Sequence, residues 1–125
     1  MDVKKEAYID TVSGKILKKE IQYYYKINDK INDKIYREEY YFNGKYHRED
    51  GPAIIWYDKN GKVEIESYFL NAERHREDGP AWIAYNRGKI TDKEYWIRGI
   101  EISDPLQLFV LETLENVKKN KCLLK

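Results

Sequence analysis

The peptide His47-Arg48-Glu49-Asp50-Gly51-Pro52-Ala53 returns letter for letter as His75-Arg76-Glu77-Asp78-Gly79-Pro80-Ala81, twenty-eight residues further along. Identity at a fixed offset restricts the chain to a repeat architecture, in which one supersecondary unit is used again and stacked on its neighbour. The alignment extends outward from the peptide. Residues 40–46 align with 68–74, and a third start, Tyr95-Trp96-Ile97-Arg98-Gly99, comes one residue early. Trp56-Tyr57-Asp58-Lys59-Asn60-Gly61-Lys62 matches Ala84-Tyr85-Asn86-Arg87-Gly88-Lys89 with one residue deleted at the turn. A faint echo lies at 8–15.

Each unit reads as strand, turn, strand and polar connection. Residues 53–57 and 81–85 are short apolar and aromatic runs closed by Asp or Asn and Gly, the residues that accept positive φ in tight turns. The returning strands, 62–70 and 89–97, alternate with period two. That period places Ile35, Arg37, Glu39 and Tyr41 on one face and Tyr36, Glu38, Tyr40 and Phe42 on the other. Tyr40, Tyr68 and Tyr95 are thereby expected to form a ladder across successive units. The fold class that follows is mainly β: consecutive antiparallel hairpins in a twisted, elongated sheet, with one C-terminal α-helix.

Asn43-Gly44-Lys45-Tyr46-His47, then Gly51, Asp58 and Gly61, resemble the MORN repeat, whose pattern runs aromatic, Asn-Gly-Lys-x-His-Gly, Gly, Asp-Gly, Tyr. The chain departs from that pattern where Arg48 and Arg76 replace the glycine after His, where Glu-Asp precedes Gly51 and Gly79, and in its longer period. The His-Arg-Glu-Asp-Gly-Pro-Ala variant resembles that of MORN-like proteins from phages and giant viruses and of YwqK-type antitoxin-like proteins. The resemblance covers residues 36–102 and implies a hairpin-repeat fold. By itself it does not fix a function.

The two ends differ from this middle. Residues 1–35 read as a divergent N-terminal hairpin cap, with 16–27 one long strand and 35–42 its partner. Ile27-Asn28-Asp29-Lys30 repeats at once as Ile31-Asn32-Asp33-Lys34, so the turn falls at 28–29 or at 32–33 and the register stays open. At Ser103-Asp104-Pro105 the pattern changes to a helix start, with Ser or Asp as N-cap and Pro at the first helical position. An amphipathic helix over 103–121 is expected. Leu106, Phe109, Val110, Leu114 and Val117 recur at helical spacing, and the expected role is to fold back over the last hairpin and shield the sheet edge. A docking or dimerisation helix is the alternative.

The repeated peptide is also the one constellation that resembles catalytic or metal chemistry, because it supplies two His and four acids. Geometry argues against both. With two strands per unit, equivalent residues lie about 10 Å apart, whereas ligands of one zinc each reach within about 2 Å of it. Within one copy, Arg48 or Arg76 would place a cation beside the metal. A stitching role accounts for every letter: Gly51 and Gly79 for a tight turn, Pro52 and Pro80 for strand entry, and Asp50 and Asp78 as acceptors of turn N–H groups. His47 and His75 bond to acids or backbone, and Arg48 and Arg76 pair with acids of the next unit. No catalytic residue, metal or cofactor is assigned. A metal-dependent hydrolase built on His47 and His75 is the minor alternative.

One domain spans the 125 residues, and a content of twelve Tyr suits a thin sheet with half-buried rings. Cys122 is the one cysteine, which points to a reducing compartment. No run approaches the roughly 18 apolar residues that span a bilayer, so a cytoplasmic protein of a bacterial or infected host cell is expected. Net charge is +1 and acids intersperse the bases, which gives nucleic acid little to bind. A tyrosine-rich, acidic sheet face fits protein recognition, with Tyr40, Tyr68, Tyr95, Glu38 and Glu66 as the candidate contact surface; a purely packing role for the same tyrosine ladder is the alternative. The resemblance implies a toxin or host-defence effector as partner, the chain acting as inhibitor. A structural component of a viral or phage particle, formed by self-association, is the second reading.

Overall fold

The computed structural model describes the backbone of residues 2–12, 15–27 and 30–123, and the side chains of 18–25 and 34–119. The chain is mainly antiparallel β with a single C-terminal helix. Its strands are β1 (Asp2–Val12), β2 (Lys15–Ile27), β3 (Lys30–Phe42), β4 (Lys45–Tyr46), β5 (Ile54–Tyr57), β6 (Val63–Ser67), β7 (Phe69–Leu70), β8 (Glu73–Arg74), β9 (Trp82–Asn86), β10 (Lys89–Ile97) and β11 (Ile100–Ile102). Helix α1 spans Pro105–Leu123. The main sheet runs β1-β2-β3-β5-β6-β9-β10-β11, with β4 hydrogen-bonded to β3, and β7 and β8 form a separate two-stranded ribbon. It is open, with β1 and β11 as its end strands.

Three tight turns mark the unit. Asn43-Gly44 joins β3 to β4, Asn71-Ala72 joins β7 to β8, and Arg98-Gly99 joins β10 to β11, every one of the six residues having φ between 48° and 78°. Two consecutive left-handed residues give the primed turn whose twist matches the flanking strands. The middle copy meets that requirement with Ala72 at φ 67°, where the other two have glycine. After each of the first two turns the chain runs through the seven-residue peptide and returns as β5 or β9.

Of the two returning strands, 89–97 is β10 with the bounds expected, whereas 62–70 is interrupted. Residues 62–70 divide into β6 and β7 at Tyr68, whose N–H is donated to Ala81 O at 2.8 Å. Tyr40 donates to Ala53 O at the same distance in the copy before. At the N-terminus, β1 and β2 pair from Asp2↔Tyr25 to Val12↔Lys15, so a long strand precedes the one expected over 16–27. Ile27 pairs with Lys30, which puts the β2–β3 connection at 28–29, outside the described residues.

One row of cross-strand neighbours fixes the middle of the sheet: Gln22, Glu38, Ile55, Glu66, Ile83 and Lys93 lie side by side on one face. The next row, on the opposite face, is Ile21, Glu39, Ile54, Ser67, Trp82 and Glu94. Ile21, Ile55, Ile83, Tyr95, Ala53 and Ala81 make the buried core, and no large side chain among the described residues is fully enclosed. A single layer this thin depends on stacked rings and cations more than on a filled interior. Tyr36 meets Tyr23, Tyr25 and Trp56, Tyr46 lies between Tyr41 and Phe69, and the Arg37 guanidinium covers Trp56 at 4.2 Å.

Candidate interaction surfaces

The two copies of the peptide make the same bonds atom for atom. His47 N–H donates to Tyr40 O and Arg48 N–H to Phe69 O, both at 3.1 Å, and His75 N–H to Tyr68 O and Arg76 N–H to Trp96 O repeat them. His47 Nδ1 accepts the Asn71 N–H at 3.0 Å, and His75 Nδ1 accepts the Arg98 N–H at 2.9 Å. Each imidazole thus caps the turn of the next unit. Accepting at Nδ1 places the ring proton on Nε2, which faces Glu49 in the first copy and Glu77 in the second, at 3.5 Å. An Nδ1 already used in this way is not free for a metal. Among the described residues, no group of three or more His, Cys, Asp or Glu is arranged to hold one.

The arginines bind within their own peptide, not to acids of the next unit. Arg48 Nε donates to Asp50 Oδ1 at 3.0 Å and Arg48 Nη1 to Pro52 O at 3.3 Å; Arg76 reaches Asp78 and Pro80 O at 3.1 Å each. Each guanidinium also covers a tyrosine ring, Arg48 over Tyr40 at 4.0 Å and Arg76 over Tyr68 at 4.2 Å. This explains the glycines differently from the expected turn. Neither has positive φ, but a Cβ on Gly51 would lie 3.0 Å from Arg48 Cζ, and one on Gly79 would lie 2.8 Å from Arg76 Cζ. Glycine leaves room for the guanidinium, which a side chain here would push aside. Arg48 holds the Asp50 carboxyl below the usual carboxylate range, whereas at Asp78 Lys118 acts first and Arg76 adds to it.

The tyrosines expected as a contact ladder are part of the packing. Tyr40 and Tyr68 are half-buried beneath their arginines, and Tyr95 is 3% exposed, so Tyr95 offers no contact surface. Its burial, together with the Glu115 carboxylate, pushes its hydroxyl up. Glu38 accepts hydroxyl bonds from Tyr40 at 2.8 Å and from Tyr57, and Glu66 accepts one from Tyr85. Tyr57 and Tyr85 stand at the same offset of twenty-eight as the peptides, a signal present in the sequence that the peptide identity overshadowed. On the opposite face Glu39, 4% exposed, gathers the hydroxyls of Tyr23 and Tyr41 at 3.0 Å and of Tyr46 at 3.4 Å, and pairs with Arg37.

Helix α1 begins as its sequence indicates, with Asp104 Oδ1 accepting the N–H groups of Leu106 at 2.9 Å and Gln107 at 3.1 Å. Its orientation is the reverse of the expected lid. The half-buried positions are Leu108, Leu111 and Glu115, and Lys118 on the same side pairs with Asp78. Leu106, Phe109, Val110, Leu114 and Val117 are 77%, 68%, 54%, 52% and 46% exposed, and only Leu106 and Val110 among them border the strands, at the end of the sheet. The inner face lies against the charged Arg76-Glu77-Asp78 segment and therefore carries Glu115 and Lys118, which leaves the outer face with the larger apolar load. Ile97, Ile102, Leu106, Val110 and Leu111 line an apolar groove where α1 leaves β11. Among the described residues, no helix is long and apolar enough to cross a membrane.

No protein-family model matches the chain, and neither a curated protein nor a solved structure matches it.

Proposed function

We propose that this chain is a non-enzymatic, MORN-like repeat scaffold that binds another protein through the outward face of α1. The observation that carries the reading is the stripe of five large apolar side chains on that face. Together they bare on the order of 500 Å² of apolar surface, at the upper end of what a soluble monomer leaves uncovered. The rest of the described surface supports the same reading by contrast. Of the groups that resemble a reactive constellation, the two His are used in holding one unit to the next, and the Arg and Asp in bracing their own peptide.

A helix pair between two copies would bury about that area on each side, short of the roughly 800 Å² per partner of a standard interface. A different protein, covering α1 and the adjoining groove together, fits better. The antitoxin-like resemblance of the peptide makes a toxin or host-defence effector the first class of partner to try, with the chain as its inhibitor.

The test is affinity capture from native host lysate with wild-type chain and with a Phe109→Glu, Leu114→Glu variant whose strand content is checked by circular dichroism. One protein retained by the wild type and lost by the folded variant supports the proposal. Equal capture by both chains would sink it, and capture of only the chain itself would favour a self-assembling particle component.

A further inference from the structure

The two identical peptides differ in one respect: the second is covered by a helix and the first is not. Asp78 gives one oxygen to Arg76 and the other to Lys118 of α1, and its side chain is 37% exposed. Glu115, one turn earlier on α1, reaches within 2.8 Å of where a Gly79 Cβ would stand, and Gly79 is buried. Asp50 gives one oxygen to Arg48 in the same way, but its side chain is 86% exposed and Arg48 is its one ion-pair partner among the described residues. Lys18 borders the cleft beside Asp50 without pairing to it.

Among the described residues there is one helix for two peptides. Only Ser103 and Asp104 separate β11 from α1, and the helix bonds to the second peptide; its Lys118 borders the cleft between the two peptides but pairs with Asp78 and not with Asp50. We infer that the first peptide is a second helix-docking site, equivalent to the one α1 occupies, and that it takes a cationic amphipathic helix from a partner protein. The cationic requirement comes from the one change in the floor. Beneath α1 the row ends in Ile83 and Lys93, which share a cleft with Glu115, while Glu112, Glu115 and Lys93 all act on the neighbouring Tyr95; one unit earlier the same positions are Ile55 and Glu66, with Glu38 on the near side. A helix lying there meets carboxylates where α1 meets an ammonium. It must therefore present bases at the positions of Glu112 and Glu115, and a base opposite Asp50 where α1 has Lys118. This site is separate from the outward face of α1.

The test uses the full chain and a fluorescein-labelled peptide of the sequence 105–121 carrying Glu112→Lys and Glu115→Lys, followed by anisotropy at low salt. Saturable binding of one peptide per chain is expected. Asp50→Lys should weaken it at least about tenfold, as loss of one charge-assisted contact does, and a Lys118→Asp version of the peptide should restore it. Asp50→Asn, checked for folding by thermal melt, gives the same reading if the lysine variant does not fold. Absence of saturable binding, binding indifferent to Asp50, or binding lost only on Asp78→Lys would each overturn the inference. None of those results touches the Phe109 and Leu114 test, so the two readings fail separately.

Discussion

Replacing His75 tests the stitching geometry at the level of single atoms. His75→Ala removes the bond from the Arg98 N–H to Nδ1, 2.9 Å long, and empties the site of a side chain only 10% exposed. A neutral hydrogen bond contributes about 1 kcal/mol net, at the lower end here because the exposed turn lets water reach the freed N–H. Removing about 60 Å² of buried ring carbon costs about 1.5 kcal/mol more, and recovered side-chain freedom returns about 0.5 kcal/mol. The expected loss is about 2 kcal/mol, and His47→Ala should match it, since its environment is the same. Isosteres sharpen the test: Asn places its amide oxygen near Nδ1 and Gln near Nε2. His75→Asn should lose about 1 kcal/mol and His75→Gln nearly as much as Ala. Urea unfolding followed by tryptophan fluorescence reports the differences. Equal damage from Asn and Gln, or losses below about 0.5 kcal/mol from Ala in both copies, would refute the Nδ1 bond as a stabilising contact.

Three further outcomes follow from other parts of the sheet. Ala72→Gly should raise stability by about 0.5–1 kcal/mol, visible as a higher melting temperature, because Ala72 sits at φ 67° in a turn whose two counterparts have glycine. Glu39→Ala should cost about 3–5 kcal/mol in urea unfolding, since it strands the half-buried Arg37 and the hydroxyls of Tyr23, Tyr41 and Tyr46; a loss near 1 kcal/mol would mean that the carboxylate is not the hub of that face. Burial first, and then its bond to Glu38, push the Tyr40 hydroxyl up to about 12; Tyr57 is raised by burial and Glu38, and Tyr85 by burial and Glu66. A folded-state value above the unfolded value of about 10 leaves stability whole below that pH and erodes it as pH rises from there through about 12. Tyrosinate absorbance at 295 nm should therefore appear together with loss of strand signal; ionisation near pH 10 in a still-folded chain would count against the Glu38 and Glu66 bonds.

The repeat was legible because letters that make the same bonds must stay the same. His, Arg, Asp, Gly, Pro and Ala each occupy a place in the peptide that no neighbour can fill, so identity over seven residues revealed hairpins and their order. Strand ends were less legible. Tyr68 reads as the middle of a strand and in the structure separates β6 from β7, whereas its equivalents Tyr40 and Tyr95 stay inside β3 and β10. The sense in which α1 lies was hidden for a different reason. Leu108 and Leu111 on one side and Leu106, Val110 and Leu114 on the other give the helix two apolar stripes, and the choice between them rests on where Lys118 finds Asp78. Glu39 looked like any strand carboxylate, because the three tyrosines that surround it come from β2, β3 and β4.

The most direct test of a protein-binding α1 is site-specific photocrosslinking, with a benzophenone amino acid placed at position 109 and, as control, at 64 on β6. Both side chains are exposed, and only the first lies on the apolar stripe. The account predicts one host protein crosslinked in quantity from position 109 and none from 64. Crosslinks of equal variety and yield at the two positions, or none from 109 in lysate that contains the whole native complement of proteins, would contradict it.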